Sequence, residues 1–283
     1  MLRSNLIAVL VISVAQVLPA MDRIPLDEVL RRGAISLQVT AADEATGGDV
    51  KAVVRNTSGA TVRTTIPAGW VFTSIDEGVQ DLLVVREEVL DLSAGASRTV
   101  VCRALCTQGP LRGPQEGEPY RPGQWAAPGL VAVATAIAAG DYPDDLAQSA
   151  VWVMSDGYSI AGMGSLDSSA TDTLRLVVSR LSGQPPPRYS MRFRAEEDRM
   201  CSGVPEAIQR ALVVDAPAGV RFHAIVLDRR GRVMHVLHRD TMLDRGVHRL
   251  VFEVPVLDWP PGPYAIHAWT QQDAGVHRLP FTL

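Results

Sequence analysis

Lysine is nearly missing from this chain. Lys51 is the only one among 27 basic residues in a sequence of 283. Schiff-base chemistry and a phosphate-cradling P-loop lysine are therefore poor starting points. Basic residues are not in surplus either, since 31 acidic residues leave a formal charge of −4. Without a basic surplus there is no broad positive face to track a phosphate backbone, so nucleic acid is not an expected partner. Long apolar runs are lacking beyond the N-terminus. A membrane-crossing helix needs about 20 apolar residues in succession, and no later segment supplies them. Cysteine is scarce as well. Cys102, Cys106 and Cys201 are the full set, and an odd count leaves at least one thiol without a disulfide partner in the chain.

The N-terminus does carry an apolar run. In "MLRSNLIAVLVISVAQVLPAMD", Arg3 precedes apolar residues from Leu6 to Leu18, and small residues follow. This is the layout of a secretory signal peptide over residues 1–20, with Ala15 or Ala20 at the cleavage point. The alternative is an uncleaved anchor. Either reading puts the rest of the chain outside the cytoplasm, at the cell surface or in the periplasm, where disulfides are permitted. After signal removal no transmembrane segment is expected. Cys102 and Cys106 lie on one strand-like run, "RTVVCRALC". Four residues of extended chain span about 13 Å, too far for a disulfide. Only a turn at Leu105-Cys106 would let the two pair.

The remaining chain divides by composition. Residues 21–33, with "PLDEVLRRG", read as a short helix that starts at Pro25 and stops at Gly33. Residues 34–182 form a first unit. Its opening part has five strand-like segments, "AISLQVT", "DVKAVVRN", "ATVRTTI", "DLLVVRE" and "SRTVVCRAL", separated by turns such as "TGGD" and "NTSGA", the spacing of a sandwich. "TQGPLRGPQEGEPYRPGQW" then reads as an irregular loop of roughly twenty residues, a length that is often functional. Three helices follow, over "PGLVAVATAIAAG", over "YPDDLAQSAVWVMSDG", and from Ser169 to Leu181. Residues 183–187 form a stiff proline linker. Residues 188–283 supply seven strand-like segments, with a hairpin centred on Arg230-Gly231, and fit an Ig-like sandwich. The expected fold is mainly β, two β-sandwich-like domains of which the first carries two or three helices.

Chemistry-bearing residues are sparse. All six histidines fall in the last quarter (His223, His235, His238, His248, His267, His277). His235 and His238 are three apart on a strand, so they face opposite sides. No cysteine or carboxylate is spaced to complete a metal shell, and no metal or other cofactor is expected. Ser165 in "GMGSLD" lacks a nucleophile-elbow pattern. Asp144 and Asp145 suit a helix N-terminus better than acid–base work. "GYSIAGMGS" lacks the strand and acidic partner of a dinucleotide site. No catalytic set emerges, and an unrecognised hydrolase is the weakest of the readings.

Gln148 is different. It lies among the apolar positions of "DDLAQSAVW", and shares a helix side with Val151, Trp152 and Ser155. That side should face the core, carrying an amide inward. "AQSAVW" resembles the Thr-Gln-x-Ala pattern of bacterial thioester domains, with Ala147 in the threonine's place. "ALC", Leu105 and Cys106 at a strand end, resembles the cysteine side of that arrangement, with Thr107 where an apolar residue is usual. The resemblance covers roughly residues 34–157. It implies a surface or secreted protein in which Cys106 and Gln148 form an internal thioester. Leu105, Trp152 and Trp125 would support it, the tryptophans as apolar cover against hydrolysis. The last unit, with "VLDRRGRVMHVLHR" and Pro261-Gly262-Pro263-Tyr264, resembles Ig-like modules of bacterial secreted proteins and of the flagellar-hook cap family. Such modules are spacers or docking units. The combined expectation is an exported attachment or binding protein with a protein or surface ligand. The alternatives are a non-reactive structural envelope protein and the hydrolase. No oligomeric state follows.

Overall fold

A computed structural model describes residues 23–42, 48–140, 142–164, 168–216, 218–271 and 276–283. The signal-like segment, the first two residues of the "TGGD" turn and Ser165 lie outside the described residues. The architecture is mainly β with a group of helices. The elements are α1 (Leu26–Arg31), β1 (Ile35–Ala41), β2 (Val50–Asn56), β3 (Val62–Ile66), β4 (Trp70–Phe72), β5 (Leu82–Val84), β6 (Glu88–Leu92), β7 (Ser97–Cys102), β8 (Ala104–Cys106), β9 (Pro119–Tyr120), β10 (Gln124–Trp125), α2 (Pro128–Ala139), α3 (Asp144–Asp156) and α4 (Ser169–Ser182). After them come β11 (Ser190–Phe193), β12 (Pro205–Ala216), β13 (Val220–Asp228), β14 (Val233–Leu243), β15 (Gly246–Pro255), β16 (Pro263–Thr270) and β17 (His277–Thr282).

The first part is layered. One sheet runs β7-β2-β1-β9, a second runs β10-β4-β5-β8, and β3 pairs with β6. β1 and β2 alternate buried and exposed positions, as strands with one wet face should. β4, β5 and β8 are buried at every position, so these three strands of the second sheet are covered on both faces. Its alternate residues enter different cores. Trp70, Phe72, Leu82, Val84, Ala104 and Cys106 join the core shared with the first sheet. Val71, Leu83, Val85 and Leu105 join the core shared with the helices. The helices thus form a third layer on the back of a sandwich.

Two sequence expectations need correction. The run "RTVVCRALC" is not one strand. It breaks at Arg103, where the chain leaves the first sheet (β7) for the second (β8). Cys102 and Cys106 therefore belong to different sheets, and neither is in a disulfide. The long Gly/Pro loop is not wholly irregular, because β9 adds to β1 and β10 adds to β4. Two-residue strands give too little alternation to be read from sequence.

The seven remaining strands make two facing sheets, β11-β12-β15 and β14-β13-β16-β17. Phe222, Phe252, Val254, Ile266 and Phe281 lie in their common core. Gly231 turns the β13–β14 hairpin at φ 77°. The two halves also touch away from the linker. Ala161 enters the second core, and the Tyr158 and Phe193 rings lie 5.6 Å apart. Arg175, only 4% exposed, donates to the carbonyls of Met163 and Ala161 and to Ser190 Oγ. Among the described residues no helix is long and apolar enough to cross a membrane.

Candidate functional site

β8 is an edge strand. Arg103 O accepts from Val85 N at 2.9 Å and Thr107 N donates to Asp81 O at 3.0 Å, so odd-numbered residues of this run bond toward β5. In an antiparallel pair the intervening residues point their N–H and C=O the other way. Cys106 therefore presents both groups at the open edge, where an unpaired buried amide is costly.

α3 supplies the partner. Pro143 precedes its first turn and Asp144 and Asp145 occupy it, which suits a helix N-terminus. Arg103, at the strand break, pairs with Asp144 and also donates to Tyr142 O at 3.3 Å. This clamp sets the start of α3 against β8. Ala147 and Ala150 are fully buried and their small side chains allow close approach. One turn after the clamp, Gln148 reaches the strand edge. Its Oε1 accepts from Cys106 N at 2.9 Å and its Nε2 donates to Cys106 O at 2.7 Å. Gln148 is 7% exposed.

The surroundings are apolar or neutral. Cys106 is fully buried, and Gly48 lies over it, at a position where a Cβ would sit 3.5 Å from Sγ. Burial alone pushes the Cys106 thiol up to about 12. Cys102 is raised to about 12 as well, first by burial and then by Glu88 and Asp49. Trp152 follows Gln148 by one turn, reaches past the strand edge into the core that holds Cys106, and donates from Nε1 to Gln80 Oε1 at 3.3 Å.

The sequence-predicted residues thus separate. Cys106, Gln148 and Trp152 come together. Leu105 is adjacent but faces the helix core on the opposite side of β8. Trp125 is not brought to the site. It lies on β10, at the other edge of the same four-stranded sheet, where it is 47% exposed and meets Trp70 edge-on at 5.8 Å. Three strand spacings, about 14 Å, separate that edge from β8. The reason is β10 itself, whose pairing with β4 carries Trp125 away.

Sequence reasoning missed Gln80. It is fully buried just before β5, and its Oε1 also accepts from Gln108 N at 3.0 Å while its Nε2 donates to Leu111 O at 3.1 Å. Tyr120 Oη donates to Gln80 O at 3.0 Å. Gln80 thereby fixes the loop that leaves Cys106. Asp156, at the end of α3, holds the same loop by accepting from Gly109 N at 3.1 Å. Nothing in "GVQDLLVV" marks Gln80 as buried, because a polar residue before a strand is ordinarily solvated.

Among the described residues no three His, Cys, Asp or Glu side chains cluster as metal ligands. His223 stacks on Trp269 at 5.2 Å and His238 meets Phe222 at 5.5 Å. No known protein-family model and no curated protein matches this chain.

Proposed function

We propose that this chain is an exported bacterial surface or periplasmic protein that works in attachment or protein binding, with Cys106 and Gln148 as an internal thioester. One observation carries the reading. Two residues 42 positions apart, singled out by separate short motifs, meet in a buried site with the Gln148 amide against Cys106. The bond would form by attack of Cys106 Sγ on Gln148 Cδ. The Cδ–Nε2 bond breaks, and the thiol proton leaves with the amide nitrogen as ammonia. Charge develops on Oε1, which already accepts from Cys106 N, a donor placed as in an oxyanion hole. Cover from Trp152 keeps water from the product. An amine or hydroxyl on the ligand then opens the thioester, takes the Gln148 acyl group and releases the Cys106 thiol.

A second reading, a non-reactive envelope protein, rests on a different observation. The Gln148 carboxamide is already satisfied on both sides, and the Cys106 thiol is held neutral by burial. Intact mass separates the two. The thioester form is lighter than the sequence mass by one ammonia and gains methylamine, and Cys106→Ala abolishes both effects. An unshifted mass in fresh protein leaves the non-reactive reading.

A further inference from the structure

Among the described residues, five arginines of the last hundred positions sit beside carboxylates: Arg192, Arg194, Arg199, Arg221 and Arg232. A different group lines a groove of about 500 Å³ between the proline linker and β17. Arg188 stands at the end of the linker, Arg210 on β12 and Arg278 on β17, and all three line this groove with no carboxylate among its lining residues. None of the three makes an ion pair with a described residue. Arg210 Nε is buried and has no hydrogen-bond partner. Burial first, and then the nearby Arg188 charge, lower the affinity of the Arg210 guanidinium for its proton. Like charges gathered without a counter-charge cost stability, so this arrangement suits an anion that arrives from outside.

The walls are rigid and apolar. Tyr189 Oη donates to Thr282 O at 3.0 Å and accepts from Thr282 N at 3.2 Å, which ties the end of the linker to β17. Its ring lies 6.2 Å from that of Phe281. Pro185, Pro186 and Pro187 form the facing side. Guanidinium groups recognise phosphate and carboxylate oxygens in pairs, with planar forks of N–H donors. We propose that this groove binds a phosphate-type oxyanion carried on an apolar body, with Arg188, Arg210 and Arg278 on the oxyanion and the prolines and Tyr189 against the body. The overall charge of −4 argues against a nucleic-acid track and does not bear on a local pocket of this size.

Calorimetric titration of the full chain at low salt with phenyl phosphate and with inorganic phosphate tests the site. Phenyl phosphate should bind saturably and more tightly than inorganic phosphate. Arg210→Met and Arg278→Met should each weaken it by about tenfold, the loss expected for one charge-assisted contact. Without ligand, Arg188→Gln should raise the melting temperature, because it relieves repulsion, whereas loss of a merely structural arginine would lower it. Equal affinity for the two phosphates would remove the apolar-body part of the proposal. No saturable binding in the millimolar range, or variants that bind like the wild type, would overturn it.

Discussion

Gln148 accepts from Cys106 N at 2.9 Å and donates to Cys106 O at 2.7 Å, so a helix side chain closes the edge of β8 as a neighbouring strand would. The pairing turns one polar residue on an apolar helix face into part of the sheet. It follows that the unreacted Gln148 amide has a structural role of its own, of which the Nε2 donation to Cys106 O would end if that nitrogen left as ammonia.

That role is measurable without the thiol. In a Cys106→Ala background, Gln148→Leu should cost about 1–3 kcal/mol, the penalty for leaving buried main-chain groups unpaired. Gln148→Glu keeps the shape. A carboxylate there can accept from the N–H of residue 106 but has no proton for its C=O. Urea unfolding should find Gln148→Glu weakest at neutral pH and partly recovered near pH 4, where a protonated carboxyl can donate. A pH-independent deficit would mean the side chain does not face that carbonyl.

The thiols should react in a set order. Cys102 and Cys106 are buried, with thiols pushed up to about 12, and the thiolate is the reactive form. Cys201 is only partly buried, and burial raises its thiol as well. Native protein should therefore titrate first at Cys201. Rapid titration in denaturant should give three thiols if Cys106 is free and two if it is acylated. Peptide mapping without reductant should find no Cys102–Cys106 disulfide. Fast native labelling of Cys106 would contradict the burial described.

Much of the fold was legible because it follows periodicity. The helix starts at Pro128 and Pro143 and the stops at Gly140, Gly157 and Gly183 mark α2, α3 and α4. The seven late strands were legible from alternation. Gln148 and Cys106 were legible as a pair only through short motifs. What failed was set by tertiary context. The sheet change at Arg103 leaves no break in the apolar pattern, because the strands on both sides bury residues. Trp125 looked like cover because its loop follows Cys106, whereas β10 pairs with β4. The linker's composition gave an extended segment but not its anchors, Gln184 Oε1 on Ile160 N and Gln184 Nε2 on Tyr158 O.

Arg175 is a buried tie across that junction. Its guanidinium is buried and satisfies Met163 O, Ala161 O and Ser190 Oγ, and burial lowers its affinity for the proton. Arg175→Met keeps the volume of the chain's stem but strands these acceptors, at a cost of about 1–3 kcal/mol. Arg175→Lys should not restore the junction, since a point charge cannot reach three acceptors held by a planar fork. Limited proteolysis within 183–187 should be faster in both variants than in wild type. Unchanged cleavage with a lowered melting temperature would place the role of Arg175 inside the helical layer alone.

The loop that leaves Cys106 should respond to acid through Glu118. Arg112 donates to Glu118 Oε1 at 2.6 Å, and Gln115 N donates to Glu118 Oε2 at 2.8 Å. These bonds, the Arg112 contact first, hold the Glu118 carboxyl below its ordinary 4.5. A carboxylate whose folded value is depressed adds stability that is fully present above the unfolded value and is lost as pH falls through the folded one. Wild-type stability should therefore drop as pH goes from about 5 to 3, and Glu118→Gln should be less stable at neutral pH with a flatter acid limb. Asp156, anchoring the other end of the loop, acts in the opposite sense. Burial raises it despite the Gly109 N–H, so it takes up a proton more readily folded than unfolded, and its contribution to stability grows as pH falls. The comparison of Glu118→Gln with wild type removes this opposing contribution, because Asp156 is common to both. The two acid limbs should converge at low pH, where Glu118 is protonated. Parallel curves across the range would mean that the Arg112 contact is screened by solvent and does not hold the loop.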